Sequence, residues 1–470
     1  MEERKRQDNR RRRKPNQFEI FKQNYLPALI ICVAFILILT FTIGSITRAI
    51  QHNKAEQLRK EQAQLSAQQA QEQLEHELAQ LIEEAEKLAS DYDYAGAIAV
   101  LDTFSGDETR YEQIGILRQQ YEEANANMVL WEDNSQVLNL SFQLLIADPD
   151  RAFSDTTYGI SYKNNFITTS EFSNILLQLY QNDYVLISLD DIYTTETDDF
   201  GQTYLASKEL YLPVGKKPVI LTQTQVNYNT YMVDSDGDMM ADKDGDGFAS
   251  KMIVDTNGNI TCEIVNSDGS VSTGAYDLVP ILDSFIATHP DFSYNGAKAI
   301  LAVTGYDGLF GYRTTAAADA YFGTMFKEEQ IQQVSEVIGA LRNSGYDIAC
   351  YTYENLAYGT AEMDVINADM SKWETEVLPI LGETDIFVFA KNSDITDSSS
   401  IYIGEKYNKL SDMGFKYYIG FCESGTPWQI LTDNYVRQGR IMVTGQNLTN
   451  NQSWFNGIFD AASVLDSARN

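Results

Sequence analysis

Histidine is nearly absent from this chain: there are three in 470 residues, and beyond residue 130 the one present is His289. A metal centre built on paired imidazoles is therefore excluded from the larger part of the sequence. Cysteine is scarce as well, and four thiols in so long a chain make no disulfide framework. Cys32 falls in an apolar run, so Cys262, Cys350 and Cys422 leave an odd number, enough for one bridge at most; their apolar flanks read as core positions. Basic residues are few, 35 Lys and Arg against 67 Asp and Glu, and nine of them crowd into the first 24 residues beside four acidic ones. Everything downstream presents an acidic surface that repels phosphate, which excludes nucleic acid as a partner.

Charge is missing altogether from Leu26 to Thr47, an apolar run of the length that crosses a bilayer as a helix. The basic cluster ahead of it (Arg4, Lys5, Arg6, Arg10 to Arg13, Lys14, Lys22) predicts a cytoplasmic N-terminus and an extracellular remainder in a single-pass protein of the cell membrane. The run is longer than the core of a cleaved signal peptide, and no small-x-small cleavage site follows it. Four arginines followed by Lys14-Pro15 read as a topogenic patch touching anionic lipid rather than as a twin-arginine signal.

Glycine and proline are absent from Ile50 to Ala89, which is rich in Gln, Glu, Ala and Leu and predicts a helical stalk. Leu65, Leu74, Leu78, Leu81, Ile82 and Leu88 form a partial apolar stripe, weaker than a sustained heptad seam, so a coiled-coil dimer stays open. Ala85 to Phe104 has the pattern of a helical hairpin, and Thr109 to Ala126 predicts a further helix completing a small cap. One such unit is too short for a repeat array and reads as a spacer docking on the domain behind it.

From Trp131 the texture changes to short β-rich runs alternating with amphipathic helices. Strands are predicted over Val137 to Ile146, Val185 to Leu189, Pro218 to Thr222, Ala299 to Val303, Asp347 to Tyr351, Ile386 to Phe389 and Tyr417 to Phe421. Helices are predicted over Thr169 to Gln181, opened by a Thr/Ser cap with Glu171 behind it, and over Glu328 to Asn343 and Ser371 to Leu381. Such alternation implies a parallel α/β sheet, open or closed into a barrel. Residues 191–211 and 232–275, full of Asp, Thr, Gly and Ser, read as loops or small hairpins. The division is a basic tail over 1–24, a transmembrane helix over 25–48, a helical stalk and cap over 49–130, and a large domain over 131–470 with an acidic insertion near 232–275.

Three stretches carry a family likeness: TSEFSNILLQLYQNDYVLISLDDIY from Thr169, LYLPVGKKPVILTQTQVNYNTYM from Leu210, and LRNSGYDIACYTYENLAYG from Leu341. They resemble the opening, first motif and second motif of the polysaccharide deacetylase superfamily. GDGFASK, GAYDLVPILD, HPDFSYNGAKAILAVTGY and NYVRQGR are similar to segments of a membrane-anchored subgroup. The resemblance covers about residues 137 to 450 and implies a distorted (β/α) barrel of the polysaccharide deacetylase type, preceded by the transmembrane helix and the stalk.

In that family one aspartate is the general base, and a second, with two histidines four residues apart, holds zinc or a related metal. The matching positions here are Thr224, Gln225, Tyr351 and Asn355, none suited to either task. Gln143 stands where relatives have a histidine, and FAKNSD from Phe389 lacks the aromatic-glycine pair of the third motif. The resemblance thus implies a pseudoenzyme with no zinc, binding cell-wall polysaccharide or an envelope protein. Tyr228, Tyr231, Tyr351, Tyr353 and Trp428 are the candidate sugar-stacking residues. The alternative is a metal-dependent deacetylase with an altered site, using for example Asp347 and Glu354.

Asp234 to Gly247 reads DSDGDMMADKDGDG, with Asp234, Asp236, Asp238, Asp242, Asp244 and Asp246 at alternating positions. Alternation turns several oxygens toward one hard cation, as Ca²⁺ requires. Asp242 to Gly247 fits the first half of an EF-hand loop, but the twelfth position is Ile253. A solvated acidic turn and a calcium loop both remain open readings.

Overall fold

The computed structural model describes Phe18, Phe21 and residues 25–104 and 111–469, so the basic cluster lies outside the described residues. Contacts divide the chain into two compact units, residues 1–81 and 82–470. A single helix, α1 (Leu26–Ser90), runs through the apolar stretch and the predicted stalk for 65 residues, roughly 100 Å at 1.5 Å per residue. Separate transmembrane and stalk helices were the expectation; after Pro27, Gly44 is the sole helix-breaking residue type before Ser90, so nothing interrupts the ladder. Over its apolar part α1 has a mean hydropathy of 2.8 with none of that window buried, which makes it a candidate membrane span; a signal sequence meets the same test.

The second unit begins with the last turns of α1, so the helical cap belongs to the same compact unit as the barrel. Asp93 caps α2 (Tyr94–Asp102) by accepting from the Gly96 amide, and α3 (Glu112–Ala126) packs beside it. The predicted docking is formed by Tyr92, whose hydroxyl donates to the Asp291 carbonyl at 2.6 Å and whose ring stacks on Tyr294, and by the Asn295 amide, which donates to the Asp91 carbonyl.

Seven parallel strands make the barrel: β1 (Leu138–Phe142), β2 (Lys217–Thr224), β3 (Ile300–Val303), β4 (Asp347–Cys350), β5 (Ile386–Val388), β6 (Tyr417–Phe421) and β7 (Val436–Met442). Neighbours pair in that order, and β7 returns to β1 through Ile441 and Met442, closing the wall. Two short strands distort it. Tyr184–Leu186 occupies the lower edge of β2, which meets β3 from Thr222 upward, and Gln429–Leu431 runs antiparallel along the lower half of β7.

Helices cover the outside. α4 (Thr169–Gln181) starts with the expected capping box, in which Thr168 and Glu171 exchange backbone bonds; Glu171, fully buried, also pairs with Arg469 at the far end of the chain. α5 (Leu278–Thr288), α6 (Thr324–Asn343) and α7 (Met363–Lys372) extend the layer, with shorter helices over Glu405–Asp412 and Gly445–Asn450, α7 beginning earlier than the sequence predicts and continuing through a π turn at Trp373–Val377. Inside the barrel, Ile220, Ile300, Ala302, Ala349, Val388 and Ile419 fill the lower layers. The acidic insertion is more ordered than loops: Lys251–Val254, Ile260–Val265 and Val271–Gly274 form an antiparallel sheet.

Candidate functional site

The carboxyl ends of β1 to β7 form the mouth, where barrels of this kind carry their chemistry. Alternation along each strand turns Ser141, Thr222, Thr224, Thr304, Tyr351, Gln438 and Arg440 toward the axis. Below the mouth, Thr222 donates to the Asn139 side chain at 2.8 Å, and the Asn139 amide donates to Gln438 at 3.1 Å, a satisfied polar layer. Above it, Ser141 Oγ and Thr304 Oγ1 are buried with no hydrogen-bond partner among the described residues.

All four positions predicted from the resemblance lie at this end. Thr224, closing β2, is buried and donates to the Phe142 carbonyl at 3.2 Å. Gln225 follows it with φ of 58°. Tyr351, just after β4, is 6% exposed, and the Arg440 guanidinium carbon lies 6.0 Å from its ring centre. Asn355 has φ of 52°, and its Oδ1 is buried without a partner. No carboxylate or imidazole stands at any of the four. His289 ends α5 ahead of β3, on the opposite end of the barrel, stacked on Phe285 and edge-on to Tyr180.

The sugar-stacking candidates do not converge. Tyr228 is 1% exposed, its hydroxyl donating to Asp277 at 2.7 Å, and Tyr353 is 4% exposed, donating to Glu376 at 2.9 Å, so neither offers a free ring face. Trp428 lies outside the wall, over Gly439 and Gly420, with its Nε1 donating to the Phe421 carbonyl and the Arg437 guanidinium 5.2 Å from its ring. Tyr351 is buried as well, so Tyr231, 41% exposed beside Tyr158, is the one of the five with an open face. The alternative ligand pair is also split: Asp347 opens β4 at the lower end, while Glu354 lies beyond its upper end, paired with Lys372. Burial, with Asp190 and Asp385 nearby, pushes the Asp347 carboxyl up to about 7.

Three groups that sequence reasoning missed hold the mouth together. Arg440 is fully buried and donates to the carbonyls of Ile419, Gly420 and Phe389 and to Asn392, so the FAKNSD segment is tied to β7; burial lowers its pKa. Asp369 accepts from the amides of Tyr353 and Glu354 and from the Tyr358 hydroxyl, folding the segment after β4. Asp277 accepts from the Leu145 amide, Gln223 and Tyr228, and burial raises its pKa. An arginine inside the apolar alternation of VRQGRIMV was the available signal for the first; the acids carried none.

In the aspartate loop the carboxylates of Asp234, Asp236 and Asp242 come within 4.8 Å of one another, the grouping a hard cation needs. This is not the EF-hand register. Asp246 accepts the Tyr162 hydroxyl, Asp238 accepts the Met240 amide, Asp244 pairs with Lys243, and Ile253 sits in a strand.

No protein-family profile matches the chain, and no curated protein matches it. Among solved structures it is similar to the Streptococcus pyogenes deacetylase PplD in complex with acetate, at 12% identity over 68% of this chain and 95% of that one, with a TM-score of 0.35. What the strands themselves define is a closed seven-stranded parallel α/β barrel.

Proposed function

We propose that this is a membrane-anchored protein whose extracellular barrel, of the deacetylase type, holds N-acetylated cell-wall glycan without hydrolysing it. The observation that carries this reading is the chemistry of the mouth. Thr224, Gln225, Tyr351 and Asn355 offer neither a general base nor an imidazole, and His289 is at the other end. Left-handed backbone at the ends of neighbouring strands supports an inherited site there: Gln225, Thr352 and Lys391 have φ of 58°, 62° and 50° after β2, β4 and β5. Each such conformation costs about 1–3 kcal/mol and persists where the surroundings hold it, a pattern concentrated at functional sites.

A hydrolase with altered ligands finds less support, since Asp347 and Glu354 flank β4 at opposite ends. The apolar stretch of α1 and the basic residues before it support anchoring with the N-terminus inside. The aspartate loop is proposed to hold a structural Ca²⁺ through Asp234, Asp236 and Asp242.

Cosedimentation of the detergent-solubilised full chain with purified cell-wall sacculi tests the binding. Retention in the pellet, displaced by soluble wall fragments, is expected; a chain that stays in the supernatant overturns the reading.

A further inference from the structure

The glycan-binding reading leaves open where the sugar sits, and the mouth offers one open ring. A cleft in the barrel wall offers more. Gln429–Leu431 parts the lower half of β7 from β1, and beside it lies a cavity of about 370 Å³. Trp131, Trp454 and Pro427 supply its ring faces, Tyr184 is buried with Lys217 over its ring, and Lys217 is the sole charged residue of its lining. Both indoles are half-buried, each with one side on the core. Trp131 is pinned by its Nε1, which donates to the Asp133 carbonyl at 2.8 Å. Trp454 packs on Gly425, where φ is 72° and an added Cβ would come within 2.6 Å of Trp454 Cβ and Cγ, so that residue must be glycine.

The lining of this cleft carries charge of one sign, from Lys217. The chain carries 67 acidic residues, yet no carboxylate lines the cavity. The adjoining cavity, which shares Lys217, Asn456 and Gly457, is lined also by Asp183 and Asp460, and two others carry Asp91, Asp255 and Asp283 or Asp190, Asp347 and Asp385. Lys217 Nζ lies 4.4 Å from the centre of the Tyr184 ring and has no acidic partner among the described residues. The side chains of Ser424, Thr426, Ser453 and Asn456, on the rim, make no hydrogen bond among the described residues. Rigid aromatic faces, free hydroxyls and an amide, and one unpaired ammonium match a carboxylate-bearing amino-sugar chain: rings stack on the indoles, hydroxyls and acetamides bond the rim, and the acid meets Lys217.

We infer that this cleft, rather than the mouth, is where the protein holds acidic N-acetylated glycan, an inference that rests on the reading above. The test is titration of the detergent-solubilised full chain with the disaccharide N-acetylglucosaminyl-N-acetylmuramic acid, followed by tryptophan fluorescence, with chitobiose as the neutral comparator. A saturable change is expected in the wild type. Trp131→Ala should weaken binding by about tenfold, as loss of an anchoring ring does. Ser453→Glu, at an exposed position that leaves the core intact, should weaken it similarly by repelling the acid. Lys217→Met should weaken the acidic sugar and leave chitobiose unchanged. If the wild type binds and Trp131→Ala and Ser453→Glu bind equally well, the cleft is overturned while the glycan-binding reading stands. If the wild type binds neither sugar, both fall.

Discussion

The hydroxyl of Tyr228 donates to the carboxylate of Asp277 at 2.7 Å, with both side chains out of contact with solvent. Among the described residues Asp277 pairs with no cation, and it depends on this bond, on Gln223 and on the Leu145 amide to remain in the core. A residue placed by its motif position among sugar-stacking candidates is therefore part of a buried polar network.

Tyr228→Phe keeps the ring and removes one donor from a buried acid. Stability should fall by about 1–3 kcal/mol, read from denaturant unfolding, with glycan binding by the remaining folded protein unchanged. A loss of binding without a loss of stability would return Tyr228 to the ligand site.

Arg440→Met should be more damaging. It strips the guanidinium donors from the carbonyls of the buried residues Ile419, Gly420 and Phe389, of which Ile419 keeps the Phe389 amide, and should cost about 3 kcal/mol or more. Arg440→Lys keeps the charge and loses the fork, so it should fall between wild type and Met in the same unfolding measurement.

Asp347 gives stability a pH dependence with a defined sign. Its folded pKa is raised to about 7, chiefly by burial and then by Asp190 and Asp385, above the unfolded value near 3.8. The folded state thus binds the proton more tightly; the contribution is full below the unfolded pKa and is lost as pH rises through about 7. Melting temperature should drop between pH 5.5 and pH 8 in the wild type. Asp347→Asn should be the more stable protein at pH 8 and should flatten that slope.

For the aspartate loop, Ca²⁺ at about 100 times its dissociation constant adds about 2.7 kcal/mol to the folded state. Calorimetry with and without chelator should show a higher melting temperature with Ca²⁺, and Asp234→Asn with Asp236→Asn should abolish the difference. Identical curves in the wild type would leave the loop a solvated turn.

Six of the seven barrel strands were legible because each is a short apolar run between turn residues, and the Thr168–Glu171 capping box because its spacing is local; β7 was not predicted, since VRQGRIM carries two arginines and a glutamine. Closure was not: whether β7 meets β1 depends on a pairing of residues some 300 positions apart, to which local periodicity is blind. Thr224, Gln225, Tyr351 and Asn355 were singled out by the resemblance of their segments to family motifs, and the strands that carry or precede them end at the mouth. Ring orientation did not follow, since the same aromatic residue after a strand serves as a platform or as packing according to what lies behind it; Trp428 went to the outer wall because Gly420 and Gly439 leave room for it there. Likewise, alternation of aspartates gives carboxylates in reach of one another, but a fold of the loop, not spacing, brought Asp242 to Asp234 and left Asp244 and Asp246 with other partners.

The central claim is that the mouth lacks the groups for amide hydrolysis. Acetate release from chitotetraose by the full-length protein, with saturating zinc or cobalt, tests it most directly. The account predicts release no faster than in a protein-free control; sustained metal-dependent release, abolished by Thr224→Ala or Tyr351→Phe, would contradict it.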